Sequence, residues 1–228
     1  MNGSIADNLA RVNERIRLAE QRYGRPAGSV RLLAVSKTRP PEAILAAAAC
    51  GQRHFGENYL QEALEKITRL KEHDLRWHFI GPIQSNKTRA IANHFHWVHS
   101  VDRVKIARRL SEQRPAHLPP LNLCLQVNIS NEASKSGIGL SELPDIARQI
   151  ADLPGVRLRG LMAIPRRTTD FHEQRRPFRQ LREALATLDD IVAGLDTLSM
   201  GMSADMEAAI AEGATIVRIG TDIFGPRD

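Results

Sequence analysis

Eight times along the chain a short, nearly continuous apolar run gives way to a polar turn and then an amphipathic stretch, and few folds can absorb that repeat. The runs lie at residues 30–35, 53–56, 77–81, 97–100, 121–129, 156–164, 198–201 and 215–219. Their lack of polar alternation marks strands buried on both faces, as parallel pairing under a cover of helices requires. Helices are predicted from Pro41 or Glu42 onward, then over 58–71, 86–94, 102–113 and 141–151, through Phe178, Leu181, Leu185 and Leu188, and over 204–212. Eight parallel βα units close into a (β/α)8 TIM barrel. An extra N-terminal helix precedes them, with Ile5, Leu9, Val12, Ile16 and Tyr23 at helical spacing and Gly24-Arg25-Pro26 stopping it. The 228 residues fall slightly below the roughly 250 typical of this fold, so a single domain over 1–228 uses the whole chain.

An open doubly wound sheet shares the alternation, but neither G-x-G-x-x-G after the first strand nor G-x-x-x-x-G-K-[ST] occurs. The longest wholly apolar run, 43–50, is far short of the roughly 20 residues of a membrane span. Asp7, Asn8 and Arg11 interrupt any signal-peptide core. Cys50 and Cys124 lack CxxC spacing, and both are expected as small core residues in a reducing cytoplasm. A net charge of +6 favours anionic partners. With 4% aromatic residues and no stacking platforms beside basic tracts, nucleic acid is not expected among those partners, and neither is a membrane.

In such barrels the chemistry sits at the carboxyl ends of the strands. Those positions hold one prominent amine, Lys37, closing the first run. A lysine there is partly desolvated, which disfavours its charged form and leaves a neutral amine able to attack an aldehyde; taken alone, it reads as well as a side chain snorkelling to solvent. Gly201-Met202-Ser203 and Gly220-Thr221 end the seventh and eighth runs, where barrels commonly hold a phosphate on backbone N–H groups. Each glycine singly also reads as a tight turn, with Ser203 as a helix cap. Jointly with Lys37 they describe a pocket for a phosphorylated aldehyde. A metal hydrolase is the competing chemistry, suggested by His94-x-His96-x-x-His99 and Asp222, but the first two histidines precede the fourth strand, at the opposite end of the barrel. Arg166, Arg167, Arg175, Arg176, Arg179 and Arg182 follow the sixth strand and are expected largely as a solvated helix face.

The segments Ala34-Val35-Ser36-Lys37-Thr38, His54-Phe55-Gly56-Glu57-Asn58-Tyr59, Trp77-His78-Phe79-Ile80-Gly81, Gln84-Ser85-Asn86-Lys87, Ser134-Lys135-Ser136-Gly137, Gly160 to Pro165, Ser199 to Asp205 and Val217-Arg218-Ile219-Gly220 resemble, in order, the motifs of the pyridoxal phosphate homeostasis proteins. The resemblance runs from the first strand to the C-terminus. It implies a barrel similar to the N-terminal domain of alanine racemase, with pyridoxal 5′-phosphate held as an internal aldimine on Lys37. It further implies that Asn58 lines the cofactor pocket, that Ser203, Gly220 and Thr221 hold the phosphate, and that Arg218 approaches the pyridine nitrogen. Lys135 and Met162 are carried over as secondary cofactor contacts. The implied role is cytoplasmic buffering or delivery of the cofactor, influencing amino-acid and keto-acid balance, by a monomer whose partners include PLP-dependent apo-enzymes.

An amino-acid racemase is the alternative function. Racemisation needs two positioned acid–base groups, and the second base of alanine racemase is a tyrosine from a further C-terminal domain. The chain ends at Asp228 and its tyrosines are Tyr23 and Tyr59, so no turnover is expected. Arg218 adds an electronic argument: a guanidinium only donates hydrogen bonds, so beside a ring nitrogen it favours the unprotonated pyridine, a poor electron sink.

Overall fold

The computed structural model describes residues 3–130 and 136–226, and its eight strands close on themselves in sequence order, every neighbouring pair parallel. The elements run α1 Ile5–Arg22, β1 Arg31–Val35, α2 Pro41–Ala49, β2 His54–Glu57, α3 Leu60–Arg69, β3 Arg76–Phe79, α4 Thr88–His94 and β4 Trp97–Val101. They continue with α5 Val104–Gln113, β5 Leu121–Val127, α6 Leu143–Ala151, β6 Val156–Ala163, α7 Phe171–Leu188, β7 Thr197–Ser199, α8 Met206–Ala211, β8 Ile216–Ile219 and α9 Thr221–Phe224. The barrel closes where β1 meets β8, with Leu33 opposite Arg218 and Ala34 opposite Ile219.

Apolar burial divides into two bodies. The larger lies between the strands and their covering helices, and includes Leu32, Ile44, Phe55, Phe79, Ile91, Leu121, Leu125, Phe178 and Leu181. The smaller fills the barrel itself with Leu33, Trp97, Cys124, Met162 and Ile216. Because successive strand residues point to opposite faces, Leu32 and Leu33 belong to different bodies. The interior is unusually polar for so small a space: His78, His99, Ser199 and Arg218 are all buried in it or at its rim.

Helix α1 begins on a capping box, Asp7 N–H donating to Ser4 Oγ at 3.2 Å and Ser4 N–H to Asp7 Oδ2 at 3.2 Å. It lays Leu9, Val12, Ile16 and Ala19 against the core. Its polar residues grip the last βα units: Asn8 Nδ2 donates to Ile223 O at 2.8 Å, Arg15 pairs with Asp222 at 2.6 Å, and Arg15 Nη2 donates to Ser203 O at 3.2 Å. The extra helix therefore braces the seventh and eighth loops from behind. Buried Glu20 accepts from the N–H groups of Gly28 and Val30, fixing the turn into β1.

Two expectations are corrected. Cys124 is buried, and burial pushes its thiol up to about 12, but Cys50 is exposed where α2 ends. Arg175, Arg179 and Arg182 are not a merely solvated face; they converge on the fully buried Glu212, at 2.7, 3.1 and 2.9 Å, and clamp α7 to the end of α8. Helix α9 was not anticipated, since four residues carry too little periodicity to show. Among the described residues no helix is long and apolar enough to cross a membrane.

Candidate functional site

The carboxyl ends of the strands open into a cavity of about 540 Å³. Lys37, Asn58, Ser203, Arg218, Gly220 and Thr221, six residues that the sequence scatters over 185 positions, all line it. Met162 does not. It is fully buried within the barrel, against Leu33, Trp97 and Cys124, one layer below the rim, and Ile164 takes the place at the mouth. Lys135 lies outside the described residues.

The chain around Lys37 is held on both sides. Ser36 Oγ donates to Glu57 Oε1 at 2.6 Å, and Lys66 Nζ donates to Ser36 O and to Glu57 Oε1, each at 2.8 Å. Thr38 has φ of 64°, a left-handed conformation that costs a non-glycine residue free energy. Its N–H donates to Glu62 Oε1 at 2.6 Å, and Glu62 pairs with Lys66 in turn. Thus α3 supplies Glu62 and Lys66, one turn apart, to fix the backbone before and after Lys37. Burial raises the Glu57 carboxyl above the usual carboxylate range, and the Lys66 ammonium beside it opposes that shift.

Asn58 follows β2 directly. A Cβ at Gly81, after β3, would lie 2.2 Å from Asn58 O, so only glycine permits the approach that backs Asn58. Ser100 Oγ holds Gly81 in place, donating to its carbonyl at 2.5 Å. The buried Asn58 Oδ1 has no hydrogen-bond partner among the described residues. A buried amide oxygen left unpaired costs about 1–3 kcal/mol, and in a cavity wall it marks a place where a ligand donor fits.

On the other side of β1, the lining holds a cation. Arg218 is 4% exposed, and its Nη1 donates to Ser199 O at 2.6 Å and Ser199 Oγ at 2.8 Å while Nη2 donates to Ala163 O at 3.0 Å. Burial lowers its pKa to about 10, opposed by Asp205, so it stays protonated at neutral pH. Asp205 Oδ1 accepts from Met202 N–H at 2.6 Å and curls residues 202–205 into a turn before α8. That turn puts Ser203 in the same lining as Gly220 and Thr221. Gly201, which leads into it, has φ of 94°, and a Cβ there would lie 2.6 Å from Ala209 Cβ.

Sequence reasoning missed Asp205 and Arg167, both in the lining. Arg167 was absorbed into the arginine cluster, although its position just past β6 was a usable signal. The histidines of the proposed metal motif go separate ways. His94 bonds Ala90 O on its own helix, His96 Nδ1 accepts from Trp77 N–H, and His99 faces the barrel interior. Among the described residues no group of three His, Cys, Asp or Glu is placed to hold a metal ion.

The alanine racemase N-terminal domain family matches residues 8–228. A pyridoxal phosphate homeostasis protein of Pseudomonas aeruginosa is 63% identical over 225 residues, covering 99% of this chain and 96% of its own length. Its counterpart in Escherichia coli K12 is 55% identical over 227 residues, 98% of this chain and 97% of its own. Among solved structures, PipY of Synechococcus elongatus with PLP bound superposes with a TM-score of 0.85 at 40% identity, covering 97% of this chain and 100% of that one.

Proposed function

The chain belongs to the pyridoxal phosphate homeostasis proteins, built on the alanine racemase N-terminal domain, and from that premise we propose that its barrel mouth binds pyridoxal 5′-phosphate to store and deliver it. The observation that carries the reading is convergence: an amine, an unpaired amide oxygen, a guanidinium and two hydroxyl-bearing glycine turns line one cavity of about 540 Å³. Those groups fit the cofactor one by one. Lys37 would supply an amine at the cofactor's aldehyde. Ser203, Gly220 and Thr221 hold the phosphate at the seventh and eighth loops, as barrels commonly do. Asn58 offers its amide to the ring's polar edge, and Arg218 donates to the ring nitrogen.

When bound, the cofactor supplies an electron sink for amino-acid chemistry, most effectively with its ring nitrogen protonated. Arg218 cannot accept that proton and presents only donors. Among the described residues no tyrosine stands in this mouth as the second base of a two-base proton transfer: Tyr23 OH donates to Glu207 on the outside of the barrel and Tyr59 is 54% exposed, neither lining the cavity. Both points support a carrier without turnover. The partners are then apo-enzymes that accept the cofactor in the cytoplasm, met by a monomeric carrier.

Titrating PLP into the protein and recording absorption outside the range of amino-acid side chains tests binding, with saturation at one equivalent expected and no new band contradicting it. Incubating the loaded protein with L-alanine in deuterium oxide tests the carrier role. The α-proton signal should persist, and its loss at a turnover near about 10 per second, typical of enzymes, would contradict it.

A further inference from the structure

A line of buried polar groups crosses the barrel interior behind Arg218, and nothing in the binding site accounts for it. Ser199 Oγ lies 2.7 Å from His99 Nδ1, His99 Nε2 lies 2.9 Å from His78 Nδ1, and His78 Nε2 lies 2.9 Å from His54 Nδ1. Ser199, His78 and His99 are fully buried, and His78 stacks on Trp97 with ring centroids 5.6 Å apart and planes 5° from parallel. His54 ends the line half-buried at the opposite rim, in a cavity of about 370 Å³ near Gln52. Five strands contribute, β2, β3, β4, β7 and β8, so the line belongs to no single element.

Its direction follows from Arg218. A guanidinium has five N–H groups and no acceptor. Arg218 donates from Nη1 to Ser199 Oγ, and the hydroxyl's own proton must then find an acceptor. His99 Nδ1 is that acceptor, which puts the His99 proton on Nε2. His99 Nε2–H donates to His78 Nδ1, and His78 Nε2–H donates to His54 Nδ1. Reversed, the line would aim two N–H groups at Ser199 Oγ and leave its proton with no partner. An imidazolium at either inner position would donate at both nitrogens and face another donor. Burial agrees, holding His54 down to about 4, His99 to about 3 and His78 well below its ordinary value.

We propose that Ser199, His99, His78 and His54 form a one-way hydrogen-bond chain of neutral Nε2–H tautomers that positions the Arg218 guanidinium at the cofactor's ring nitrogen. The cofactor half of this rests on the reading of the mouth given above; the chain itself does not. Three of the five Arg218 N–H groups go to Ser199 and Ala163, which fixes the plane of a guanidinium that lines the mouth and leaves two N–H groups for a ligand. Ser199 and the histidines act through Arg218 and are positioning residues.

Long-range 1H–15N correlation on histidine-labelled protein, without cofactor, reads the tautomers, and His54→Gln assigns the half-buried end. The expected result is a proton on Nε2 of His54, His78 and His99 from pH 8 to pH 5. In Ser199→Ala the far His54 should become a tautomer mixture, and Ser199→Thr should restore it. A proton on Nδ1 of His78 or His99, or an imidazolium there at pH 6, overturns the proposal, and the spectrum of the native protein decides this even if Ser199→Ala does not fold. In the loaded protein, Ser199→Ala should release PLP about tenfold faster, a 1.4 kcal/mol effect, with Ser199→Thr near native. Unchanged release in a folded Ser199→Ala overturns the positioning role. Failure of native protein to take up PLP rejects the reading of the mouth and leaves the tautomer result to judge the chain.

Discussion

Ser203 shows what a single residue contributes to the mouth and how far it can be read in advance. Its hydroxyl stands in the lining between the ends of β7 and β8, and its carbonyl is pinned from behind by Arg15. A hydrogen bond to a charged group contributes about 1.5–3 kcal/mol, so Ser203→Ala should weaken PLP retention by one to two orders of magnitude. Unphosphorylated pyridoxal should be retained as before, and equal losses for both ligands, measured by equilibrium dialysis, would remove Ser203 from the phosphate site. Positions of this kind were legible because barrel chemistry collects where an apolar run ends. Met162 was misread for the same reason. It lies one residue before the end of β6, and strand alternation turns it into the barrel and leaves the rim to Ile164. Glu57 and Asp205 lie inside quoted motifs but were assigned no role, since Glu57 acts on the side chains of Ser36 and Lys66 and Asp205 on the Met202 N–H.

At the scale of elements, the carboxyl end of β1 is held by α3 through a buried pair. Lys66 is 4% exposed at its side chain and Glu57 is fully buried, 2.8 Å apart. Removing one partner of such a pair leaves an uncompensated charge and costs about 3 kcal/mol or more. Lys66→Met should therefore lower unfolding free energy by about that amount, and adding Glu57→Gln should recover part of it, because contacting residues couple. A denaturant titration measures both, and a loss within the few tenths typical of surface sites would refute the coupling of α3 to the Lys37 loop. The repeat of strands and helices was legible from periodicity, while several ends were not. Helix α3 starts at Leu60, two residues after the expected 58, because Asn58 is committed to the mouth. Helix α8 starts at Met206 because Asp205 folds back onto Met202 N–H.

For the molecule as a whole, the closed barrel follows from eight buried strands, but its polar interior could not be foreseen, since no spacing rule sends histidines from three strands toward one another. The buried and half-buried histidines make stability depend on pH. His54 and His96 are held down to about 4, His99 to about 3, and His78 well below its usual value, all by burial. The unfolded chain protonates these groups near 6.5, while the native protein binds those protons only at lower pH. Their effect is absent above about pH 6.5, and stability falls as pH drops from there toward 4. Near pH 5 unfolding should take up about four protons from this set, seen as a steep fall in melting temperature below pH 6. A flat profile from pH 7 to 5 would mean these histidines are protonated in the native protein. The central claim, that the mouth holds the cofactor through Lys37, is tested most directly by loading the protein with PLP, reducing it with borohydride and mapping the modified peptide. One pyridoxyl group on Lys37, absent in Lys37→Ala, is the predicted result; label chiefly on another lysine, or none, would contradict it.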